Sequence, residues 1–194
     1  MKVLITGVSQ DGNGLGYHLA SCFEKHGHFV LRHKGRKHAD LSKNEDICAL
    51  VAEAKECEVD TLINNAAIVC PNKQFGEYNK ALIQIMIEVN LLAPILLSNL
   101  LLTNLKNIVN INSMVGLEVK SPRTIYSATK WGLRGFSNSL KNENCNINIL
   151  DVYPTNIKTT PDRKNAMDVN VVAEKIYESL IRKEKKLILD GRKK

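Results

Sequence analysis

Apolar residues occur along this chain in two patterns: short continuous runs, and longer stretches in which they recur every three or four positions. A short run bounded by turn residues is typical of a strand buried on both faces, and a longer periodic stretch is typical of an amphipathic helix. The runs predict strands at residues 2–6, 28–31, 59–64, 108–112, 147–152 and 186–189. The periodic stretches predict helices at residues 15–26, 42–54, 78–102, 121–139 and 169–181. Gly27 is expected to end the first helix, Ser42 or Asn44 to cap the second, and Pro94 to kink or restart the third.

This alternation of strands and helices predicts a single domain over residues 1–194 with an α/β fold. We expect a Rossmann-like, doubly wound parallel β-sheet of about seven strands, with helices on both faces in a three-layer α/β/α arrangement. In such sheets ligands bind beyond the carboxyl ends of the strands. Small or polar residues follow four of the predicted strands, at Gly7, Asn65, Ser113 and Pro154. We therefore expect the functional site at that edge of the sheet.

Composition narrows the class of protein. A chain of 194 residues with 44% apolar and 24% charged residues is typical of a soluble globular protein. No secretory leader is recognised, and the apolar run at 91–102 is too short and too interrupted to span a bilayer, so we expect a cytoplasmic protein without a membrane partner. The five cysteines lack Cys-x-x-Cys spacing and the five histidines lack a ligand pattern, which predicts reduced thiols and no metal site.

The net charge of +7 predicts attraction to anions, which are either a phosphate-bearing cofactor or nucleic acid. Only 5% of the residues are aromatic, and no nucleic-acid-binding module is recognised in the chain. Both observations argue against nucleic acid as a partner.

The turn after the first strand is a candidate site for a pyrophosphate. Gly7 permits a tight exit from the strand, and Gly14 and Gly16 let the backbone approach a ligand at the start of the next helix. The amino terminus of that helix offers N–H groups and a partial positive charge to an anion. The alternative interpretation is a loop that needs positive φ angles for purely structural reasons.

The turn after the second strand bears on the choice of dinucleotide. An NAD site usually presents an acid there to the ribose 2′-hydroxyl, but the segment between Lys25 and Ala39 contains no acid. It carries Arg32, Lys34 and Arg36, which suit a 2′-phosphate. NADP(H) is therefore favoured over NAD(H), and a solvated basic loop is the alternative.

Tyr126 and Lys130 form the candidate reacting pair. If Tyr126 lies near the start of a helix, Lys130 lies one turn later on the same face. A nearby ammonium is expected to lower the pKa of the phenol toward a useful range. Ser113, at the end of a neighbouring strand, is placed to polarise a substrate oxygen. Taken alone, this spacing is also that of an ordinary solvated helix face.

Five segments together resemble the short-chain dehydrogenase/reductase family, and the resemblance extends from Met1 to about Gly191. They are the turn from Thr6-Gly7 to Gly14-Leu15-Gly16, Asp40-Leu41, Asn64-Asn65-Ala66-Ala67, Asn90 in Val89-Asn90-Leu91, and Ser113 with Tyr126, Lys130 and Pro154 through Thr159. The turns and the resemblance together predict cofactor contacts from Gly7, Ser9, Gly14, Leu15, Gly16, Arg32, Lys34, Arg36, Asp40, Leu41, Asn65, Ala66, Tyr126, Lys130, Pro154, Ile157 and Thr159.

The resemblance implies hydride transfer between NADP(H) and a small carbonyl or alcohol. Tyr126 would be the general acid and base, and Ser113 would hydrogen-bond the substrate oxygen. Lys130 would lower the pKa of Tyr126 and contact the nicotinamide ribose, and Asn90 would hold a water that links Lys130 to solvent. The resemblance also implies a homodimer or homotetramer, paired through the helices at 78–102 and 121–139.

The chain departs from the family pattern at several positions. Six residues separate Gly7 from Gly14 instead of three, and Asp11 in this insertion would repel phosphate unless it points away or caps the helix. Ala67 and Thr155 replace glycines, and the segment 161–168 is short where the family carries a helical substrate lid. An alternative function is therefore a catalytically silent dinucleotide sensor or scaffold with the same fold.

Overall fold

The computed structural model describes residues 1–69, 73–119, 121–143, 146–159 and 166–192. The strands are β1 (Lys2–Ile5), β2 (Phe29–Arg32), β3 (Thr61–Asn64), β4 (Asn107–Ile111), β5 (Asn148–Thr155), β6 (Ile157–Lys158), β7 (Met167–Asp168) and β8 (Lys186–Asp190). The helices are α1 (Leu15–Lys25), α2 (Asn44–Glu56), α3 (Lys80–Ile87), α4 (Ala93–Leu100), α5 (Thr124–Asn142) and α6 (Val169–Ile181). All the predicted helices and strands are confirmed, with ends shifted by a few residues.

Six strands form one parallel sheet in the order β2-β1-β3-β4-β5-β8. They are the six strands that the apolar runs predict, so the fold class is confirmed while the count of about seven is one too high for this sheet. The chain leaves β1 for β2 on one side and returns to β3 on the other. The strand order therefore reverses at β1 and β3, where a doubly wound sheet opens a crevice for a ligand.

Helices cover both faces of the sheet, as predicted. Leu19 and Phe23 of α1 and Ile176 of α6 are fully buried in one apolar cluster with the sheet. On the other face α2, α4 and α5 contribute a second cluster, which includes Leu50 and Leu97. Each such side chain stabilises the fold by about 1.5–3 kcal/mol relative to its exposed state. The two clusters hold the strand ends, and the loops beyond them, in place.

A π turn lies just before Pro94, where a kink or restart of the helix is predicted. Residues 88–92 form this turn between α3 and α4, and Pro94 lies in the first turn of α4. Proline has no N–H to donate to the carbonyl four residues earlier, which here belongs to Asn90. The wider turn just before Pro94 accommodates that missing bond and directs Asn90 inward, where it is 1% exposed.

The continuous helical stretch Lys80–Leu100 is long and apolar enough to cross a membrane by length and composition, with a mean hydropathy of 1.9. This stretch begins well before the apolar run at 91–102, which by itself is too short to span a bilayer. Core helices of soluble proteins pass the same test, and 39% of its most apolar window is buried against the domain. It is weak evidence for a membrane span.

The ends of two helices test the predicted caps. Gly27 follows α1 with a φ of 78°, which confirms the expected left-handed glycine. The cap predicted from Ser42 or Asn44 is wrong, because Lys43 is the N-cap of α2 and no side chain caps it. The Ser42 hydroxyl instead donates to Asp40 Oδ1 at 2.7 Å. Ser42 therefore orients a carboxylate at the sheet edge.

Candidate functional site

A cleft of about 480 Å³ lies at the carboxyl ends of the strands, within the usual range for small-ligand sites. Thirteen of the residues predicted for the site line it: Gly7, Leu15, Gly16, Arg36, Asp40, Leu41, Asn65, Ala66, Ser113, Tyr126, Pro154, Ile157 and Thr159. Six others are not among its lining residues: Ser9, Gly14, Arg32, Lys34, Asn90 and Lys130.

Two glycines of the first turn are required by close packing. A Cβ on Gly7, whose φ is 71°, would lie 2.7 Å from Ala66 Cα. A Cβ on Gly16 would lie 2.5 Å from the Gly7 carbonyl oxygen. The turn therefore packs directly on the loop after β3. No side chain caps α1 and no acid lies in its first turn, so its amino terminus faces the cleft with its dipole uncompensated by side chains.

The inserted residues of this turn are hydrogen-bonded to one another outside the cleft. The Ser9 hydroxyl donates to the Asn13 carbonyl at 2.5 Å and also to the Asp11 carboxylate. Asp11 accepts in addition from the Asn13 N–H at 3.1 Å. These hydrogen bonds lower the pKa of Asp11, so it is ionised at neutral pH. Asp11 does not cap α1, and neither it nor Ser9 lines the cleft.

Thr6 and Asn65 connect the two central loops. Asn65 Nδ2 donates to the carbonyl oxygens of Thr6 at 2.8 Å and Gly7 at 3.1 Å. The Thr6 hydroxyl accepts from the N–H groups of Asn65 and Ala66, each at 3.0 Å. The backbone that the glycines bring to the ligand is thus held by side-chain hydrogen bonds from the neighbouring strand end.

His33 is a cleft residue that the sequence analysis missed. It directly follows β2, is 2% exposed, and accepts a hydrogen bond at Nδ1 from the Gly7 N–H at 3.0 Å. Its Nε2 donates to the Ala39 carbonyl at 2.8 Å. Burial lowers the pKa of His33, so the neutral ring that this pattern needs is the stable form. The sequence offered a reason to consider His33, because the turn after the second strand is where a dinucleotide site usually presents a side chain to the ribose.

The basic turn divides between two surfaces. Arg36 lines the cleft, with its Nε 3.8 Å from Asp40 Oδ1. Arg32 forms a two-pronged ion pair with Glu24 and lies over the Tyr17 ring, and Lys34 lines a separate groove outside β2. Of the three residues predicted to meet a cofactor, Arg36 is therefore the one that lines the cleft, and Arg32 and Lys34 do not line it. Their side chains lie on the outer side of an edge strand, which a sequence pattern does not reveal.

Asp40 lies at the same end of the cleft as Arg36. Its pKa is lowered chiefly by the hydrogen bond from Ser42, with a smaller contribution from the charge of Arg36. The carboxylate is therefore ionised at neutral pH. It holds an acceptor beside Arg36 and Leu41, which are also among the residues predicted to contact the cofactor.

Ser113 and Tyr126 meet at the other end of the cleft. Ser113 lies two residues beyond the end of β4, Tyr126 lies in the first turn of α5, and their side chains are hydrogen-bonded. Burial raises the pKa of Tyr126, and the hydrogen bond from Ser113 and the charge of Arg123 oppose this shift. The expected lowering is therefore wrong for this structure, because the phenol is 8% exposed and desolvation outweighs the nearby charge.

Lys130 lies one turn after Tyr126, as predicted, but behind the cleft wall. It is 2% exposed, and its ammonium donates to the Ile111 carbonyl at 2.8 Å. The ammonium is 5.7 Å from the centre of the Tyr126 ring. Burial lowers the pKa of Lys130 to about 8. The charge that was expected to tune Tyr126 is therefore itself weakened by desolvation.

Asn90 supports the loop after β3. Its Oδ1 accepts from the Ile68 N–H at 2.7 Å, and its Nδ2 donates to the Ile68 carbonyl at 2.9 Å. A longer contact of 3.4 Å joins Nδ2 to the Thr129 hydroxyl, next to Lys130 in the sequence. Asn90 thus links the loop that lines the cleft to the helix that carries Tyr126.

The end of β5 and the residues that follow it close the side of the cleft. Pro154, Thr155 and Asn156 line it, and Asn156 adopts a φ of 53°. Thr159 contacts the first turn, because its carbonyl accepts from the Gly14 N–H at 3.4 Å. The short segment at 161–165, within the predicted reduced lid, lies outside the described residues.

One group of metal-ligating side chains occurs away from the cleft. Donor atoms of Cys22, His26 and Glu174 lie within 4.8 Å of one another, between α1 and α6. His26 Nε2 is 3.0 Å from Glu174 Oε2, and burial raises the pKa of Cys22 to about 12. His26 and Glu174 are thus already in contact with each other, and the Cys22 thiol stays protonated at neutral pH.

Comparison with known proteins gives a consistent family. A family model described as short chain dehydrogenase matches residues 36–170. Ketoacyl reductase HetN of Nostoc sp. (strain PCC 7120) is 34% identical over 130 residues, which are 62% of this chain and 45% of that protein. Farnesol dehydrogenase of Aedes aegypti is 31% identical over 143 residues, 65% of this chain and 58% of that protein. The chain thus spans about half the length of these relatives.

Solved structures share the fold. The bulky-bulky ketone specific alcohol dehydrogenase of Comamonas testosteroni superposes with a TM-score of 0.82 at 24% identity, covering 96% of this chain and 85% of that one. A 4-hydroxyisoleucine dehydrogenase complexed with NADH gives 0.80 at 22% identity, covering 98% and 97%. An alcohol dehydrogenase of Thermococcus sibiricus complexed with 5-hydroxy-NADP gives 0.79 at 21% identity, covering 97% and 96%.

Proposed function

Because the chain belongs to the short-chain dehydrogenase family, we propose that it is an oxidoreductase that transfers a hydride between NADP(H) and a small carbonyl or alcohol compound. The observation that carries the proposal is the hydrogen-bonded pair of Ser113 and Tyr126 at one end of a dinucleotide-sized cleft. Taken alone, a hydrogen-bonded serine and tyrosine would be weak evidence for catalysis. Its place at the carboxyl edge of a doubly wound sheet is what gives it a cofactor to act with.

The cleft fits a dinucleotide. Arg36 and Asp40 lie beyond β2 and Ser113 lies beyond β4, three strands away in the sheet order. At a strand spacing of about 4.8 Å this separation is roughly 14 Å, which suits an extended molecule. Between them, the uncapped start of α1 and the close approach of Gly16 suit a pyrophosphate.

In this proposal the bound NADP(H) supplies or accepts the hydride, and the chain handles the proton. Tyr126 lies in the cleft with Ser113 on its hydroxyl, so both can hydrogen-bond one substrate oxygen. A raised pKa keeps the phenol protonated at neutral pH, which is the form that a general acid needs in the reducing direction. Ser113 stabilises the charge that develops on the oxygen.

Lys130 and Asn90 position this pair in the proposed mechanism. The hydrogen bond from Lys130 to the Ile111 carbonyl connects α5 to the end of β4, so it fixes the distance between Tyr126 and Ser113. Asn90 fixes the loop at Ile68 that forms the opposite wall. A proton relay through Asn90 and Lys130 remains part of the proposal.

A second candidate function is a dinucleotide sensor without turnover. The observation that favours it is the burial of both Tyr126 and Lys130, which raises the pKa of Tyr126 and lowers the pKa of Lys130. Both shifts oppose formation of a phenolate beside an ammonium. Cofactor binding with no chemistry would then be the whole activity.

Turnover separates the two candidates. NADPH and NADH oxidation is followed with a panel of small aldehydes and ketones, for the wild-type protein and Tyr126→Phe. The proposed enzyme oxidises NADPH with at least one carbonyl and loses roughly 10²–10⁴-fold in kcat without the hydroxyl. Cofactor binding without turnover, identical in both proteins, would instead support the sensor.

The preference for NADP(H) rests on Arg36, since it is the member of the basic turn that lines the cleft. Arg36→Gln is expected to weaken NADPH binding about 10-fold or more and to leave NADH binding unchanged. Arg32→Gln is the matched control, because Arg32 pairs with Glu24 away from the cleft. Equal effects of the two variants, or an equal loss for both cofactors, would contradict the assignment.

The remaining proposals concern assembly and compartment. We propose a homodimer or homotetramer that pairs through the helical stretch from α3 to α4 and through α5. Ile87 of α3, Leu92 of the π turn and Trp131 of α5 are each more than 40% exposed there. Light scattering that finds a monomer at micromolar concentration would contradict it. The free thiols of Cys22, Cys48 and Cys57 suit the reducing cytoplasm, which is the proposed compartment.

A further inference from the structure

Arg123 places a positive charge at the reacting end of the cleft. It is the N-cap residue of α5, three positions before Tyr126, and its side chain lines the cleft together with Ser113 and Tyr126. The charge of Arg123 acts on the Tyr126 phenol, since it opposes the rise in the pKa of that group. A substrate oxygen on Tyr126 and an anionic group a few bonds away therefore both fit at this end of the cleft.

The charged groups of the cleft lie at two separate ends. Among its described lining residues the charged side chains are Arg36, Asp40 and Arg123. Arg36 and Asp40 lie together beyond β2, roughly 14 Å from the reacting end by strand spacing. Lys130 does not reach the cleft surface, since its ammonium is buried on the Ile111 carbonyl. Arg123 is thus the charged lining residue beside Ser113 and Tyr126.

The phosphates of the proposed cofactor are matched elsewhere. The pyrophosphate falls at the start of α1, and a 2′-phosphate falls at Arg36. In this proposal both phosphate sites lie away from the end of the cleft that Ser113, Tyr126 and Arg123 line. A guanidinium presents a planar fork that fits a carboxylate or phosphate with two hydrogen bonds.

From this placement we infer that the substrate is an anionic carbonyl compound whose carboxylate or phosphate binds Arg123. The inference rests on the proposed function and specifies its substrate class. The carbonyl oxygen lies on Ser113 and Tyr126, and the anionic group lies a few carbons away on the α5 side. Short oxo acids and aldehyde phosphates have this form.

Arg123 has a second effect that the test must separate. Its charge also opposes the burial-induced rise in the pKa of Tyr126, so its removal affects proton transfer to every substrate. A loss confined to anionic substrates identifies binding, whereas an equal loss with neutral substrates identifies this electrostatic effect alone.

The test compares matched pairs: 4-oxopentanoate with its methyl ester, and glyceraldehyde 3-phosphate with glyceraldehyde. Wild type is expected to favour one anionic member by roughly 10- to 100-fold in kcat/KM, the usual strength of a charge-assisted pair. Arg123→Gln removes that preference through KM, and Arg123→Lys restores part of it. The pair that responds identifies carboxylate or phosphate.

Arg134→Gln is the matched control, because Arg134 lies on the same helix over the Trp131 ring and outside the cleft lining. No preference for either anion in wild type, an equal loss on both members of each pair, or a weaker NADPH affinity in Arg123→Gln would overturn the inference.

Binding is measured separately, so that failure of the proposed function is distinguishable. The thermal shift of the NADPH complex with 4-oxopentanoate, or with glyceraldehyde 3-phosphate, reports the anion site without turnover. A shift that Arg123→Gln abolishes, in a protein that turns over no carbonyl, would support the anion site and refute the oxidoreductase. The absence of any shift with both anions would refute the anion site.

Discussion

Two helical glycines provide a sharp test of how the cofactor turn is built, because the same substitution is expected to have opposite effects at each. Gly16 lies at the start of α1 and Gly135 lies within α5. A Cβ on Gly16 would lie 2.5 Å from the Gly7 carbonyl oxygen and 2.6 Å from Asn65 Nδ2. A Cβ on Gly135 meets no described heavy atom within 4 Å.

The magnitudes follow from these contacts. Alanine is favoured over glycine in a helix by about 1 kcal/mol, so Gly135→Ala is expected to stabilise the protein by about 0.5–1 kcal/mol. At Gly16 the same gain is outweighed, because overpacking costs about 1–3 kcal/mol. The new methyl also separates Asn65 Nδ2 from the Gly7 carbonyl, a hydrogen bond of 3.1 Å worth about 1 kcal/mol. The expected net loss for Gly16→Ala is about 1–3 kcal/mol.

Urea unfolding measures both variants, with the slope m checked for constancy so that a midpoint shift reports stability. Two protein concentrations are used, since contact between copies through α5 would make the effect of Gly135→Ala concentration-dependent. Fluorescence titration with NADPH is the second measurement. Gly16→Ala is expected to weaken NADPH binding at least 10-fold, because the turn that receives the pyrophosphate must move.

A Gly16→Ala protein with unchanged stability and unchanged NADPH affinity would refute the reasoning. It would mean that α1 can move away from the first turn without cost, and that the close approach of this backbone is unimportant for the ligand.

Three further predictions test other parts of the site and its support. Asn90→Ala is expected to destabilise by about 2–3 kcal/mol, because both backbone groups of Ile68 lose a partner. Asn90→Asp is expected to lose at least as much in urea unfolding, because it buries a carboxylate against the Ile68 carbonyl. Lys141→Met removes the ion-pair partner of the buried Asp151 carboxylate, which lies 2.5 Å from the ammonium, and is expected to cost about 3–5 kcal/mol of stability. Arg182→Met breaks an exposed pair with Glu178 and is expected to change the stability by less than about 0.5 kcal/mol. Similar losses for both variants would contradict this. Burial lowers the pKa of Lys130 from 10.5 to about 8, so between these values the unfolded chain binds more protons and the Lys130 contribution to stability rises with pH. The stability difference between wild type and Lys130→Met is therefore expected to shift toward wild type from pH 8 to 10.5, by on the order of 3 kcal/mol; a flat difference would show that the ammonium is solvated.

Much of the fold was predictable from the sequence because its signals are local. An apolar run and a three-to-four-residue period follow from backbone geometry, so they identify strands and helices without knowledge of their partners. The six strands and the helix limits near Gly27 and Pro94 are examples. The expected count of about seven strands exceeds the number of apolar runs by one, and the described sheet has six strands.

The candidate site was predictable as a set of residues but not as a set of contacts. Ser113, Tyr126 and Asn65 meet at one edge because the carboxyl ends of parallel strands share that edge. The sequence assigned Arg32, Lys34 and Arg36 equal roles, although one of the three lines the cleft. The sequence did not identify His33 as a site residue, because no helical or strand periodicity relates it to its partners Gly7 and Ala39.

Tyr126 and Lys130 show the same division. Their spacing of one helical turn is a property of the sequence, and α5 realises it. The pKa of each depends on how much water surrounds the group, and water is excluded by β4, by the loop after it and by the α3–α4 helix pair, elements distant in sequence. The sequence by itself determined which chemical groups this protein brings to the edge of its sheet. Tertiary packing alone decided which of them reach the cleft and which are desolvated behind it.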